Sequence, residues 1–229
     1  MIPLWDNVPT RRFPFVTVAL IALNAAVFVF YQLPRLQASA FELGFEPCVA
    51  DGSCSDQGVR WPLDLVTAMF AHGGWAHILG NMLFLWIFGN NVEDTLGRPR
   101  FVAFYLVGGL FATLSQTIVT LEAGSRTAAQ IPNVGASGAI AAVLGAYIVL
   151  FPGGRVFTWV IPFFFFELPA LLFLGIWFLL QLFLGSQSVV APEQGGGVAF
   201  FAHVGGFVFG LLAVRIFSAG RPRPVRPAY

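Results

Sequence analysis

A serine lies between two glycines in Gly135-Ala136-Ser137-Gly138, directly before the apolar run 139–145. A hydroxyl at the mouth of a segment apolar enough to enter a bilayer is costly there, which makes it a candidate for chemistry. If the run is a helix, the N–H groups of its first turn have no partner within the helix and point towards an oxyanion formed there. Ser137 is therefore a candidate nucleophile, expected about three residues into a helix. The alternative is a small residue that packs two helices.

His203 opens another apolar run and is a suitable proton acceptor for such a serine, because imidazole titrates near neutral pH. Gly206 and Gly210 lie three and seven residues further on, on the same helical face. They match a ridge of small residues in the apolar run that begins at Ser137, which consists of Ser137, Ala141 and Gly145. Such ridges let two backbones approach closely, so we expect the hydroxyl and the imidazole to meet. The alternative is a structural histidine bonded to a carbonyl.

His77 and Asn81 are four residues apart, so a helix would place both on one face. Both are expected in the same half of the membrane as Ser137, where they could donate hydrogen bonds to a tetrahedral oxyanion. The alternative is a polar contact between helices. His72 is expected to be structural and to tie the preceding loop to this helix.

No carboxylate is expected at the depth of His203. The residues therefore predict a dyad of serine and histidine, in which packing alone orients the imidazole. Glu167 is expected to begin another helix, where a carboxylate suits the helix dipole, on the far side of the membrane from Ser137.

The elements that must hold these residues are membrane helices, because the chain is 57% hydrophobic and only 10% charged. Spanning a bilayer takes roughly 20 apolar residues in a helix, and lipid cannot satisfy an open backbone. Six runs qualify: 13–31, 75–92, 101–121, 134–151, 167–185 and 198–217. The formal net charge of +1 gives no basic stripe for nucleic acid.

The twelve arginines predict the orientation, since positive charge is retained in short cytoplasmic loops. With a cytoplasmic N-terminus, nine arginines lie inside: 11, 12, 98, 100, 155, 215, 221, 223 and 226. Three lie outside: 35, 60 and 126. Both termini are then cytoplasmic, and the candidate site faces the outside.

The first outer loop, 32–64, carries the two cysteines of the chain, Cys48 and Cys54. An oxidising outer face favours a disulfide between them, and two free thiols are the alternative. No metal site is expected, because two thiols without a nearby histidine fall short of the four ligands of structural zinc.

Three further segments lie outside the apolar runs. The aromatic segment 156–166 is expected at the cytoplasmic membrane interface. The outer loop 187–197 ends in three glycines and is expected to be mobile. Residues 1–220 are predicted to form one membrane domain, and residues 221–229 a disordered tail that rests on anionic lipid.

At these residues the chain resembles the rhomboid family of intramembrane serine proteases, and the resemblance extends from the first apolar run to the sixth. The motifs that carry it are His72 with His77-x-x-x-Asn81, Gly135-Ala136-Ser137-Gly138, and Ala202-His203 followed by Gly206-x-x-x-Gly210. The resemblance implies an all-α domain of six transmembrane helices without a cofactor. Because eukaryotic organelle members generally have an additional helix, the resemblance also implies that this chain is of the prokaryotic six-helix type and lies in a plasma (inner) membrane.

By resemblance, Ser137 is the nucleophile, and His203 is first the general base and then the acid. The oxyanion site consists of His77, Asn81 and the backbone N–H of Ser137. The implied substrates are membrane proteins, cut within or near a transmembrane segment. The last outer loop is implied to cap the site, and the fifth helix to act as a lateral gate.

The chain departs from the family pattern at two places. Members often have a Trp-Arg pair in the first outer loop, whereas this chain has Arg60-Trp61. Some members have an aromatic residue four positions after the serine, beneath the histidine, whereas this chain has Ala141.

Two other functions compete with proteolysis. The first is a catalytically inactive relative that binds transmembrane helices, although such proteins usually lack the serine or the histidine. The second is a transporter, which should show repeated halves or charges at the midplane. Neither is visible in this sequence.

Overall fold

The computed structural model describes residues 1–54, 62–190 and 198–222, which are mostly helical. The helices are α1 (Phe15–Ala26), α2 (Leu36–Leu43), α3 (Pro47–Ala50), α4 (Asp64–Thr67), α5 (Trp75–Phe84), α6 (Asn90–Leu96), α7 (Arg98–Ala123), α8 (Arg126–Ala129), α9 (Ser137–Leu150), α10 (Ala170–Val190) and α11 (Phe200–Phe217). The strands are β1 (Ile2–Asp6), β2 (Arg155–Val160) and β3 (Phe164–Pro169). Pi-helical segments at Val27–Gln32 and Leu85–Gly89 continue α1 and α5.

The prediction of a polytopic helical membrane protein is confirmed. Within the described ranges, four helical stretches are long and apolar enough to cross a bilayer: Phe15–Leu43, Arg98–Ala123, Ala170–Val189 and Phe200–Phe217. α9 is apolar but shorter, and α5 with α6 forms the remaining predicted run. Each of the six predicted runs therefore contains a helix.

The aromatic segment after Arg155 is a β-hairpin, which the sequence did not predict. β2 pairs antiparallel with both β1 and β3, so the N-terminus of the chain completes a three-stranded sheet. Glu167 lies in β3, where its carboxylate pairs with Arg155 at 3.3 Å. The prediction that Glu167 begins a helix is wrong, because β3 runs to Pro169 and α10 begins at Ala170.

The hairpin exposes large apolar side chains on both of its faces. Phe163 is 82% exposed, and the next three phenylalanines are also exposed. Because β3 is an edge strand, its free backbone groups need water or lipid headgroups and cannot enter hydrocarbon. These features fit the predicted position at the membrane interface.

α9 is the central helix, and its residues from Gly138 to Tyr147 are buried. Its C-terminal half is tied to the sheet, because the Tyr147 hydroxyl donates to the carboxylate of Asp6 in β1. Ser137 begins the same helix at the opposite end, about 20 Å away at 1.5 Å per residue. The sheet and the candidate nucleophile therefore lie at opposite ends of the helix bundle.

α9 and α11 touch backbone to backbone at glycines. A Cβ added to Gly206 would collide with the carbonyl oxygen of Gly138, and one added to Gly210 would collide with that of Ala142. Gly145 meets the backbone of α11 at Phe207 in the same way. The predicted close approach is present: Gly145 takes part as expected, while Gly138 and Ala142 take the places predicted for Ser137 and Ala141. The Ser137 side chain instead faces His203.

α10 packs on α11 through side chains. Phe178 stacks on Phe207 with ring centroids 4.5 Å apart, and Trp177 lies 6.1 Å from the same ring. The opposite side of α10 is apolar and exposed, as a lipid-facing surface would be: Leu171, Leu172, Ile176, Leu179, Leu180 and Phe183.

In the segment 32–64, which was predicted to be an outer loop, Cys48 and Cys54 form a disulfide. Three features predicted from the sequence lie wholly or mostly outside the described residues: Arg60-Trp61, the glycines at 195–197, and the tail beyond residue 222.

Candidate active site

The nucleophile and base predicted from the sequence are in direct contact. The Oγ atom of Ser137 lies 2.8 Å from Nε2 of His203. Ser137 is the first residue of α9, so the expectation that it lies three residues inside is wrong. This position keeps Ser137 within the turn whose N–H groups have no partner inside the helix.

The imidazole has a second hydrogen-bond partner, which the sequence did not predict. Nδ1 of His203 lies 2.8 Å from Oε1 of Gln181, which is on α10. Trp177, one turn earlier, places its ring centroid 5.8 Å from that of His203. The prediction that packing alone orients the imidazole is therefore wrong, because a hydrogen bond contributes as well. A usable signal was present, since Gln181 is the one amide or charged residue in the apolar stretch 170–185.

His77 presents a ring nitrogen to the serine. The backbone N–H of Gly73 donates to Nδ1 of His77 at 3.2 Å, so the other nitrogen, Nε2, carries the proton and can donate. A Cβ added to Gly135 would lie 2.8 Å from Nε2 of His77 and 3.5 Å from Oγ of Ser137. The absence of a side chain at Gly135 therefore leaves space between these two atoms for a substrate oxygen.

Asn81 supplies a second donor on the same face of α5. It is 8% exposed, and its Nδ2 atom has no hydrogen-bond partner although it is buried. A buried amide without a partner is costly, which is typical of a group that awaits a ligand.

The other residues predicted near the site pack against the residues that line it. The ring of His72 is buried and meets the His77 ring edge to face, with centroids 5.2 Å apart. Gln32 holds the backbone of His72 twice: its Nε2 donates to the His72 carbonyl at 3.3 Å, and its Oε1 accepts from the His72 N–H at 2.8 Å. Gly138, Gly206 and Gly210 keep α9 against α11, as described above.

Ser137, His203, His77 and Asn81 all line one cavity of about 730 Å³. This volume lies in the usual range of ligand pockets. The remainder of its wall is largely apolar and aromatic: Trp75, Phe84, Ile140, Leu144 and Trp177. The cavity therefore combines a compact polar group with walls suited to an apolar chain.

The rhomboid domain family model matches residues 59–220, which is well over half of the chain. The chain belongs to the rhomboid family. The resemblance of the sequence motifs to this family is therefore confirmed, and the protein is an integral membrane protein of polytopic helical type.

Three curated relatives illustrate the range of the rhomboid matches. The mitochondrial presenilin-associated rhomboid-like protein of Bos taurus is 29% identical over 213 residues, which cover 90% of this chain and 49% of that protein. Mitochondrial rhomboid protein 1 of Saccharomyces cerevisiae is 28% identical over 85% of this chain and 51% of its own. The putative rhomboid protease YdcA of Bacillus subtilis is 30% identical over 61% of this chain and 64% of its own. The chain spans about half the length of the mitochondrial relatives.

The polar residues of this rhomboid have the arrangement that acyl transfer requires. A hydroxyl contacts a proton acceptor, the acceptor is held by a further group, and donors converge on the space beside the hydroxyl. No described charged side chain lines this cavity, so neutral hydrogen-bond donors would stabilise the developing charge.

Proposed function

We propose that this rhomboid is an intramembrane serine endopeptidase that hydrolyses peptide bonds in or near the transmembrane segments of other membrane proteins. The observation that carries the proposal is the 2.8 Å contact between Ser137 Oγ and His203 Nε2 at the wall of an apolar cavity. Family membership supports the same class of reaction.

The first half of the proposed reaction forms an acyl enzyme. His203 Nε2 takes the proton from Oγ of Ser137 while that oxygen attacks the scissile carbonyl carbon. The carbonyl oxygen becomes an oxyanion, which accepts hydrogen bonds from His77 Nε2, Asn81 Nδ2 and the N–H of Ser137. The imidazolium then donates its proton to the leaving amine, and the carbon–nitrogen bond breaks.

The second half of the proposed reaction releases the acid product. A water molecule attacks the acyl ester while His203 again accepts a proton. The same donors hold the second oxyanion, and the proton returns to Oγ of Ser137 as the ester bond breaks. Each residue thus serves twice in the cycle.

The apolar wall of the cavity supports the proposed substrate class. A transmembrane segment presents apolar side chains, and the aromatic residues Trp75, Phe84 and Trp177 can receive them without polar partners. The exposed apolar surface of α10 places lipid next to this wall. A segment could therefore pass from the bilayer to Ser137 beside α10.

We further propose that the protein lies in a prokaryotic plasma membrane with both termini cytoplasmic, and the arginine distribution supports this orientation. The mammalian and yeast relatives are named as mitochondrial proteins, and YdcA comes from a bacterium. Fractionation of cells that express a tagged chain, with protease treatment from the outer face, would test the membrane and the orientation.

Replacement of Ser137 by Ala is the decisive test of this function. Reconstituted in liposomes with a single-span substrate, Ser137→Ala should lose at least about 10⁴-fold in cleavage rate, because it removes the hydroxyl that contacts His203. Labelling by a fluorophosphonate should disappear in parallel.

Ser186→Ala is the matched control, because Ser186 is exposed on α10 and its hydroxyl donates to the local Phe183 carbonyl. The control should cleave and label like the wild type. Cleavage retained by Ser137→Ala would overturn the proposal. Binding of a transmembrane segment by a wild type that neither cleaves nor labels would favour an inactive helix-binding relative.

A further inference from the structure

Both polar atoms of the Gln181 side-chain amide have a hydrogen-bond partner. Nε2 lies 3.3 Å from the carbonyl oxygen of Trp177, one turn earlier in α10. Oε1 lies 2.8 Å from Nδ1 of His203. Gln181 is 7% exposed, so water cannot readily replace either partner.

This arrangement determines where the proton of the neutral imidazole lies. A carbonyl oxygen only accepts, so the NH₂ group of Gln181 must face Trp177, which leaves the acceptor Oε1 towards His203. Nδ1 of His203 must then carry the hydrogen. Nε2 is left with a lone pair towards Oγ of Ser137, which is the state that can accept the serine proton.

The opposite tautomer would place the hydrogen on Nε2, facing the serine, and His203 could not act as a base. It would also place the lone pair of Nδ1 against the lone pairs of Oε1, 2.8 Å away. Gln181 therefore favours one tautomer by attraction and disfavours the other by repulsion.

The helix that carries Gln181 carries neither reacting residue. Ser137 begins α9 and His203 lies in the first turn of α11, whereas Gln181 and Trp177 both belong to α10. Contacts of both side chains with the imidazole make the position of α10 part of the orientation of the base.

Building on the proposed protease function, we propose that Gln181 is a positioning residue that fixes the tautomer and ring orientation of His203, so that the base is competent only while α10 lies against α11. Displacement of α10 removes the acceptor from Nδ1 and the indole from beside the ring in one movement. The attack step then requires α10 to be in place, whatever path the substrate takes to the cavity.

Two substitutions separate this role from packing. Gln181→Met keeps a similar volume but removes the acceptor, and we expect kcat to fall about 10- to 100-fold with little change in KM. Gln181→Glu keeps an oxygen that can accept from Nδ1, and it should retain kcat within about tenfold. Gln187→Met is the control, because Gln187 is an exposed glutamine on the same helix.

A fluorophosphonate separates the base from substrate entry, since this small reagent requires the nucleophile and its proton acceptor but no helix binding. Its rate of reaction with Ser137 should fall in Gln181→Met by the same factor as kcat. A Met variant that reacts at the wild-type rate would overturn the proposal. So would a Glu variant that is as impaired as the Met variant.

A second readout does not depend on catalysis. The chain has 3 histidines, so ¹⁵N-histidine NMR of a Ser137→Ala background gives few ring signals, which single His→Gln changes assign. His203 should be protonated at Nδ1 in this background and should shift towards the Nε2-protonated form when Gln181→Met is added. An unchanged tautomer would overturn the role of Gln181 even if Ser137 proves to be the nucleophile. A wild type that never labels would count against the protease function, while the NMR result would still decide the role of Gln181.

Discussion

Two of the helices that pack on α11, namely α9 and α10, do so in different ways. α9 meets it backbone to backbone, with glycines on both helices and carbonyl oxygens where a Cβ would lie. α10 meets it through the rings of Trp177 and Phe178, and the opposite side of α10 exposes apolar side chains. A glycine in each helix shows the contrast, because a Cβ on Gly206 of α11 has no room, whereas one on Gly175 of α10 meets nothing within 4 Å.

Because of this difference, Ser137 and His203 have a fixed relative position, whereas the position of Gln181 on α10 can change. Close-packed backbones cannot slide without collisions, so Ser137 and His203 are held in fixed relation by α9 and α11. Side-chain contacts at one face allow α10 greater freedom. The hydrogen bond to His203 comes from this less constrained helix.

The strongest test of the comparison is a large side chain at each of these two glycines. Gly206→Leu would drive α9 and α11 apart, so we expect cleavage to be abolished and the free energy of unfolding to fall by several kcal/mol. Gly175→Leu should change the free energy of unfolding by less than about 1 kcal/mol and keep most of the activity. Cleavage assays and unfolding in mixed micelles would measure both. Equal damage by the two substitutions would refute the contrast between the helices.

A second test introduces a methyl group into the space between His77 and Ser137. Gly135 has φ +128°, which strains any L residue, and a Cβ there would lie 2.8 Å from the His77 ring. Gly135→Ala should therefore lower kcat by about 10²- to 10³-fold through loss of oxyanion stabilisation.

The matched control for Gly135→Ala is Gly80→Ala, because Gly80 lines the same cavity and a Cβ there meets nothing within 4 Å. The control should keep its kcat within a factor of about three, since it disturbs no donor. If both variants lost kcat equally, the space beside Gly135 would have no special role in catalysis.

The smallest expected effect concerns the other end of α9, where it meets the sheet. Burial raises the pKa of Asp6 to about 6, and the hydrogen bond from Tyr147 only partly opposes this. The folded protein thus holds the proton more strongly than the unfolded chain. Its stability should fall between about pH 4 and pH 6, by at most about 3 kcal/mol, and should not fall further above that window.

Asp6→Asn should remove this pH dependence, because an amide keeps an acceptor for Tyr147 but does not titrate. Unfolding free energies in detergent at several pH values between 4 and 7 would measure it. Asp51→Asn, an exposed change in the outer loop, should leave the decline intact. A decline that persists in Asp6→Asn would assign the effect to another group.

The residues of the candidate site were predictable because each is a polar residue near the end of an apolar run. Ser137, His203, His77 and Asn81 could be placed in one half of the membrane from helix periodicity alone, and the structure brings them to one cavity. The helical runs followed equally directly from composition, since lipid permits few alternatives.

The sheet and Gln181 were missed for different physical reasons. The hairpin is apolar on both faces, so it lacks the alternation by which a strand is recognised, and β1 lies about 150 residues away from its partner β2. Gln181 was not predicted because the usual partner of such a histidine is a carboxylate. A neutral amide oxygen can accept the same hydrogen bond.

The match to the rhomboid family model begins at residue 59, yet Gln32, before that match, contacts a residue of the candidate site. Gln32 accepts a hydrogen bond from the backbone N–H of His72. The next residue, Gly73, donates to Nδ1 of His77, so Nε2 of His77 remains a donor. A shortened protein that starts at residue 59 would contain all the proposed catalytic residues. It would lack Gln32, which holds the backbone next to the residue that bonds His77. In this chain the region matched by the family model is therefore shorter than the region that builds the candidate site.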